Sequence, residues 1–123
     1  MNRVLQLILM AIITATPAIA MAKTPDEPSS FSARRGENLW HMQFTVSGQQ
    51  RSCASCHTAD PRQAGKHVRT GKAIQAMAPS VNPDRFTDQS KINKWFKRNC
   101  KWTMGRVCSY QEKGDVLEYL KSL

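Results

Sequence analysis

The sequence predicts a small all-α domain. Three segments carry apolar residues at helical spacing, and each follows a residue that can cap a helix. No stretch shows the alternation of apolar and polar residues that is typical of a strand, and the sequence contains no internal repeat. Because the chain has 123 residues, we expect one small domain.

The first 22 residues have the composition of a secretory signal peptide. Arg3 gives a positive start, an apolar run covers residues 4–13, and two small-x-small cleavage sites lie within residues 18–22. The run is shorter than the roughly 20 apolar residues that a membrane-spanning helix needs. We therefore expect residues 1–22 to be removed, no membrane span to remain after processing, and the mature protein to be periplasmic.

The rest of the chain is expected to form a flexible leader at residues 23–31 and a folded domain at residues 32–123. The leader is polar and rich in proline. A short apolar segment at residues 73–78 is expected to form a helical turn. The three longer helices and their caps are expected at residues 33–44 after Ser32, at residues 89–100 after Asp88, and from about residue 110 onward after Ser109, with Glu112 completing a capping box.

Residues 53–57 read Cys-Ala-Ser-Cys-His, the attachment signature of a c-type haem. On a short helical turn, Cys53 and Cys56 face the same way, and each can form a thioether with one vinyl group of the macrocycle. His57 then lies under the ring and can give an imidazole nitrogen to the iron. A redox disulfide would need a βαβ context, and a zinc site would need a second ligand pair at similar spacing. The expected cofactor is one covalent haem c with its iron.

The order of the elements is typical of the small class I cytochrome c fold. An opening helix is followed by a CxxCH turn and, at the end of the chain, by a closing helix. The first and last helices of that fold cross beside the haem, and Gly36 and Trp40 are expected at the crossing. A covalent haem also adds buried apolar surface to a domain of about 100 residues, whose own core would be marginal.

The composition is strongly basic. Removing Arg3 from the 18 basic residues leaves 17 against 9 acidic ones, a formal charge of about +8. A basic surface on a redox protein steers it toward an acidic partner. Nucleic acid is not an expected partner, because the chain is exported and has no recognition motif. The best candidate for a basic patch is the group Lys91, Lys94, Lys97, Arg98 and Lys101.

The second axial ligand decides whether the iron only transfers electrons or also binds small molecules. From position alone Met77 is the first choice, since small cytochromes use a methionine well downstream of the CxxCH motif. Methionine is also a common filler of apolar cores, so the residues by themselves leave the choice open. The candidates are His41, Met42, His67, Met77, Asn99 and Met104.

Further short stretches form a more specific pattern. They are Arg-Thr-Gly-Lys at 69–72, Ala-Pro-Ser at 78–80, Asn-Pro-Asp-Arg-Phe-Thr-Asp at 82–88, Lys-Trp at 94–95, Arg-Asn-Cys at 98–100, Gly-Arg at 105–106, Cys108, Glu-Lys at 112–113, Asp115 and Leu117. Together they resemble the sphaeroides haem protein (SHP) family, which comprises oxygen-binding class I cytochromes c. The resemblance covers residues 34–123.

The resemblance implies that Asn99 is the second axial ligand and that Cys100 and Cys108 form a disulfide. The family has a leucine where this chain has Met77, so Met77 is kept as an alternative ligand. An amide oxygen is a hard, weak donor that suits ferric iron better than ferrous iron. We therefore expect Asn99 to leave the iron on reduction and to open it to O2, NO or CO.

The expected function is electron transfer combined with binding of diatomic gases. The resemblance implies a dihaem cytochrome c as electron donor, in keeping with an acidic redox partner. Arg69, Lys72 and Arg85 are candidates for binding the haem propionates. Two alternatives remain: a plain electron carrier with His57 and Met77 as ligands, and a small haem enzyme. The enzyme is less expected, because no acid–base pair can be identified on the distal side.

Overall fold

The computed structural model describes residues 30–123, so the expected signal peptide and most of the expected leader lie outside the described residues. The described chain is mainly helical, as predicted, and no helix in it is long and apolar enough to cross a membrane. Its helices are α1 (Ala33–His41), α2 (Ala54–His57), α3 (Gln89–Met104) and α4 (Tyr110–Lys121). Its strands are β1 (Phe44–Val46), β2 (Gln49–Arg51), β3 (Gly65–Lys66) and β4 (Ala73–Ile74).

The three predicted helix caps are all observed. The side chains of Ser32, Asp88 and Ser109 each accept a hydrogen bond from a backbone N–H in the first turn of the helix that follows. At Ser109 the arrangement is a full capping box, because the Glu112 carboxylate accepts from the Ser109 N–H at 2.7 Å. Such caps satisfy backbone donors that would otherwise be unpaired, and each contributes about 1 kcal/mol.

Two helix ends differ from the prediction. α1 ends at His41 and not at residue 44, because Phe44 pairs with Arg51 in an antiparallel hairpin of β1 and β2. α3 continues beyond residue 100 to Met104, because no helix-breaking residue occurs before Gly105. Gly105 ends α3 in the left-handed conformation, with φ 72°, that glycine adopts without strain.

The predicted helical turn at residues 73–78 is wrong. Ala73 and Ile74 instead form β4, which pairs antiparallel with β3. The two carbonyl groups that follow are bound by the guanidinium of Arg85, which donates to Gln75 and Ala76 at 2.8 Å. These carbonyls therefore have a side-chain partner in place of the helical N–H groups.

The core lies where α1 crosses α4. Trp40, Val116, Tyr119 and Leu120 form its buried cluster, and Trp40 is only 2% exposed. Gly36 is at the point of closest approach, since a Cβ atom there would overlap the carbonyl oxygen of Asp115. The predicted crossing at Gly36 and Trp40 is thus observed.

A buried carboxylate joins the two crossing helices. Asp115 on α4 accepts hydrogen bonds from the Ser32 N–H at 2.8 Å, from Arg35 Nε at 2.8 Å and from Gln111 Nε2 at 2.9 Å. Burial alone would raise the pKa of Asp115, but these hydrogen bonds outweigh it and the pKa is lowered. Asp115 therefore stays ionised and fixes the start of α1 against the middle of α4.

The disulfide expected from the family resemblance is present between Cys100 and Cys108. It links the last turns of α3 to the segment before α4, across a sequence separation of 8 residues. Cys100 is buried, so the end of α3 is fixed next to the loop that leads into the closing helix.

Candidate haem-attachment site

The CxxCH segment folds into a single helical turn, α2. The N–H of His57 donates to the Cys53 carbonyl at 3.2 Å, which closes the turn. Ser52 and Ser55 tie its start, because each side-chain oxygen accepts from the other residue's backbone N–H at 3.0 to 3.1 Å. Cys53 and Cys56 therefore lie one turn apart, as two thioether bonds to one macrocycle require.

Both cysteines of this turn are free thiols. Cys56 is buried, and the pKa of the Cys53 thiol is raised to about 11, mainly by burial. Two unpaired and shielded thiols within one turn fit the two attachment points of a covalent haem, and they differ in this respect from the disulfide-bonded Cys100 and Cys108.

His57 has the properties of an iron ligand. Burial, followed by repulsion from Arg85 and His67, lowers the pKa of His57 to about 4, so the imidazole is neutral at pH 7. Neutral imidazole is the form that binds metals. Its Nδ1 atom is buried and has no hydrogen-bond partner among residues 30–123. The side-chain hydrogen bonds within residues 30–123 do not involve His57, so a nitrogen of this neutral ring is free to bind haem iron.

Neighbouring elements hold the attachment turn closely. The Trp40 ring lies 5.6 Å from the His57 ring, and its Nε1 donates to the Thr58 carbonyl at 3.0 Å. On the other side Gly65 approaches so closely that a Cβ atom there would overlap the Cys56 carbonyl. The α1–α4 core and the β3 strand therefore position the turn together.

The two leading candidates for the second axial ligand have different surroundings. Asn99 is exposed on α3, and its side chain makes no hydrogen bond within residues 30–123. Met77 is half-buried and packs against the core cluster, while its backbone N–H donates to the Pro61 carbonyl at 2.8 Å. The Asn99 amide is thus available as a metal ligand, whereas Met77 has the contacts of an ordinary core side chain.

The remaining candidates have other partners or lie at the surface. His67 Nδ1 accepts hydrogen bonds from two backbone N–H groups of its own loop at 3.2 and 3.3 Å. The Met104 sulfur lies 3.3 Å from the Cys108 sulfur, beside the disulfide. His41 and Met42 are exposed at the end of α1.

The candidates for binding the propionates have different surroundings. Arg85 donates to backbone carbonyls, while Arg69 and Lys72 are exposed in the loop between β3 and β4.

Sequence reasoning missed a further arginine, Arg51, whose guanidinium lies over the Trp102 ring at 4.5 Å from its centroid. These two residues are 51 positions apart, so no local pattern could have paired them.

A mainly helical domain built around a CxxCH turn defines a small class I c-type cytochrome. A family model described as "Domain of unknown function (DUF1924)" matches residues 26–120. The cytochrome c-type protein SHP of Cereibacter sphaeroides is 37% identical over 123 residues, which covers 92% of this chain and 95% of the relative. The chain belongs to this family, the SHP family of c-type cytochromes.

Two solved structures are similar to the chain over most of its length. One is described as oxidized SHP, an oxygen binding cytochrome c; it is 42% identical, covers 76% of this chain and 83% of its own, and has a TM-score of 0.71. The other is the solution structure of cytochrome c'' from Methylophilus methylotrophus, described as giving insight into haem-ligand detachment. It is 41% identical, covers 72% of this chain and 73% of its own, and has a TM-score of 0.64. The predicted fold, family and cofactor, haem c with its iron, are confirmed.

Proposed function

We propose that this protein is an electron-transfer cytochrome whose ferric haem has His57 and Asn99 as axial ligands, with Asn99 released on reduction so that O2, NO or CO can bind. Cys53 and Cys56 hold the haem through thioether bonds. The observation that carries the proposal is the exposed, uncommitted amide of Asn99, next to a residue that a disulfide fixes. The haem supplies the redox-active iron and the position at which a gas binds.

His57 provides the permanent bond. Its imidazole is neutral at pH 7 and remains a nitrogen donor in both oxidation states of the iron. Trp40 fixes the backbone immediately after it by donating to the Thr58 carbonyl. Because Thr58 directly follows His57, this hydrogen bond would hold the backbone next to the proposed ligand in place.

Asn99 provides the detachable bond. Its amide oxygen binds hard ferric iron more strongly than softer ferrous iron. The disulfide at Cys100 limits how far the end of α3 can move, so it would keep Asn99 close to its proposed binding position in both oxidation states. Two relatives support this assignment by their descriptions, one as an oxygen-binding cytochrome and the other through haem-ligand detachment.

An acidic redox partner, such as a dihaem cytochrome c, fits the surface of α3. This helix carries basic side chains and no acidic ones, and the basic side chains are exposed. Attraction between this surface and a negative partner would increase the rate of association. Together with the predicted signal peptide, these features support a role in a periplasmic electron-transfer chain. The exposed basic residues are Lys91, Lys94, Lys97, Arg98 and Lys101.

A plain electron carrier with Met77 as second ligand is the alternative function. Met77 packs against the cluster that contains Trp40, and Trp40 contacts His57. A methionine sulfur binds both oxidation states and would keep the iron closed to gases.

Replacing Asn99 by Val tests the proposal. The haem should remain attached, and azide should bind the ferric iron at least about tenfold faster than in the parent, because the competing ligand is gone. Stopped-flow absorption measures the rate, and Met77→Leu is the matched control that should bind azide at the parental rate. The reduced parent protein should bind carbon monoxide without a slow opening step.

The opposite pattern would support the alternative. If azide binds Asn99→Val at the parental rate and Met77→Leu much faster, then Met77 and not Asn99 occupies the second axial position.

A further inference from the structure

A basic cleft that the proposed function does not use lies beside the attachment turn. Its volume is about 480 Å³, and three parts of the chain form it: strand β2, the loop between β3 and β4, and the last turn of α3. The lining residues are Gln49, Arg51, Val68, Arg69 and Trp102.

Arg51 is held rigidly in this cleft. Its Nη1 donates to the Trp102 carbonyl at 2.8 Å, its Nη2 donates to Gln49 Oε1 at 3.1 Å, and its guanidinium lies over the Trp102 ring. The remaining donor, Nε, is buried and has no hydrogen-bond partner among residues 30–123. An acceptor is therefore missing from a guanidinium whose position is already fixed.

The charge of Arg51 is also unbalanced. The ion pairs within residues 30–123 do not include Arg51. Arg69, which is exposed at the rim, adds a second positive charge to the same cleft. A partly buried guanidinium favours an anionic partner, and its planar fork matches the two oxygens of a carboxylate, the group that a haem propionate carries.

Two residues that line the cleft are close in the chain to proposed haem contacts. Arg51 lies two residues before Cys53, and Trp102 lies three residues after Asn99, on the same face of α3. The Trp102 ring is 6.4 Å from the ring of His67, which lies in the loop between β3 and β4. A group attached at Cys53 is therefore near the cleft.

We propose that this cleft binds a carboxylate at Arg51, with Arg69 as the second cation and Trp102 as the platform that holds the guanidinium. Such a carboxylate has two sources, a propionate of the attached haem or a small free carboxylate from solution. The inference rests on haem attachment at Cys53 and Cys56, as in the proposed function, but it does not depend on the identity of the second axial ligand.

Three variants of the haem-loaded protein test the inference. Arg51→Gln removes the fixed guanidinium, and Arg69→Gln removes the second charge without altering the contacts between Arg51 and Trp102. Arg34→Gln is the matched control, because Arg34 is an exposed arginine on α1. Two readouts are measured on each variant: the propionate bending band in the resonance Raman spectrum, and the midpoint potential during an acetate titration at constant pH and ionic strength.

The two possible sources of the carboxylate predict different experimental results. If a haem propionate occupies the cleft, the bending band shifts in Arg51→Gln and Arg69→Gln but not in Arg34→Gln. If a free carboxylate occupies it, acetate lowers the midpoint potential of the parent saturably, and Arg51→Gln weakens the apparent acetate affinity at least tenfold.

The proposal is overturned if both readouts of Arg51→Gln and Arg69→Gln equal those of Arg34→Gln. Should Arg51→Gln fail to fold, Arg69→Gln and Arg51→Lys answer the same question. These comparisons remain interpretable if Asn99 is not a ligand, because that failure appears in the azide kinetics of Asn99→Val and not in the propionate band or the acetate response.

Discussion

Glu112 connects the loop after α3 to the start of α4. Its carboxylate accepts from the Ser109 N–H at 2.7 Å and from two nitrogens of Arg106 at 2.7 and 2.9 Å. The hydrogen bond from Arg106 is the main reason that the pKa of Glu112 falls from 4.5 to about 2. Because the folded pKa lies below the unfolded one, this stabilisation is complete above pH 4.5 and is lost as the pH falls toward 2.

Arg106→Gln should therefore destabilise the protein in a pH-dependent way. At pH 7 the free energy of unfolding should fall only slightly, because solvent screens the ion pair of the half-exposed arginine. The difference from the parent should shrink between pH 4.5 and about 2, as Glu112 is protonated in the parent as well. Denaturant unfolding followed by circular dichroism measures it, with Arg34→Gln as the control. A difference that stays constant over this pH range would contradict the assignment.

At the scale of single residues, a local signal was enough to propose the attachment site, whereas contacts between distant residues were missed. Cys53, Cys56 and His57 were recognisable because the CxxCH motif places all three proposed haem contacts within one short segment. The contact between Arg51 and Trp102 was not, because it depends on how β2 and α3 pack together. No property of either residue alone distinguishes it from an ordinary surface arginine or core tryptophan.

Among the elements, α3 carries the proposed ligand and depends on the disulfide at its end. The bridge between Cys100 and Cys108 closes a short loop, so it restricts the unfolded chain and the last turns of the helix. The helix is further ended by Gly105, which has a left-handed conformation. Position 99 therefore lies in a segment that is fixed on its C-terminal side.

Replacing both Cys100 and Cys108 by Ala should lower the free energy of unfolding by about 2–3 kcal/mol, the value expected for a loop of this length. The same variant should bind azide faster in the ferric state, because a less ordered helix end holds Asn99 near the iron for less of the time. Denaturant unfolding and stopped-flow absorption measure the two effects. Met104→Leu, beside the bridge, is the control. Equal stability and equal azide kinetics in the double variant would show that the bridge does not position α3.

The caps of the elements were predictable, while some of their ends and the hairpins were not. Each cap depends only on residues within three positions of the helix start, so sequence alone identifies the caps Ser32, Asp88 and Ser109. β3 and β4 have two residues each, too few for an alternating pattern to be visible. The extended path after β4 also depends on Arg85, whose bonds to Gln75 and Ala76 cross 9 to 10 positions of the chain.

The protein as a whole is basic, and its positive charge is concentrated on α3. The formal net charge of the full sequence is +9. Charges of one sign on one helix produce a directional field, which increases the rate of encounter with a partner of opposite sign. Salt screens this field within a distance of about 8 to 10 Å.

Lys94→Glu combined with Lys101→Glu should slow electron transfer from an acidic donor about tenfold at low ionic strength. The dependence of the rate on salt should also become weaker, because there is less attraction to screen. The control carries the same change in net charge elsewhere, as Arg34→Glu with Lys121→Glu. Stopped-flow kinetics over a range of salt concentrations measures both pairs. If the two double variants are slowed equally, net charge and not the α3 surface directs the encounter.

The first helix closes on the last one, and this has a consequence for how the protein is made. The Ser32 N–H binds a carboxylate 83 positions further along the chain. Trp40, which covers the turn around His57, is itself covered by Tyr119. A chain that is still being synthesised therefore lacks the packing over its attachment turn until the final dozen residues have been added. During that interval Cys53 and Cys56 are open to an incoming haem, and the same thiols are shielded once α4 has packed against α1.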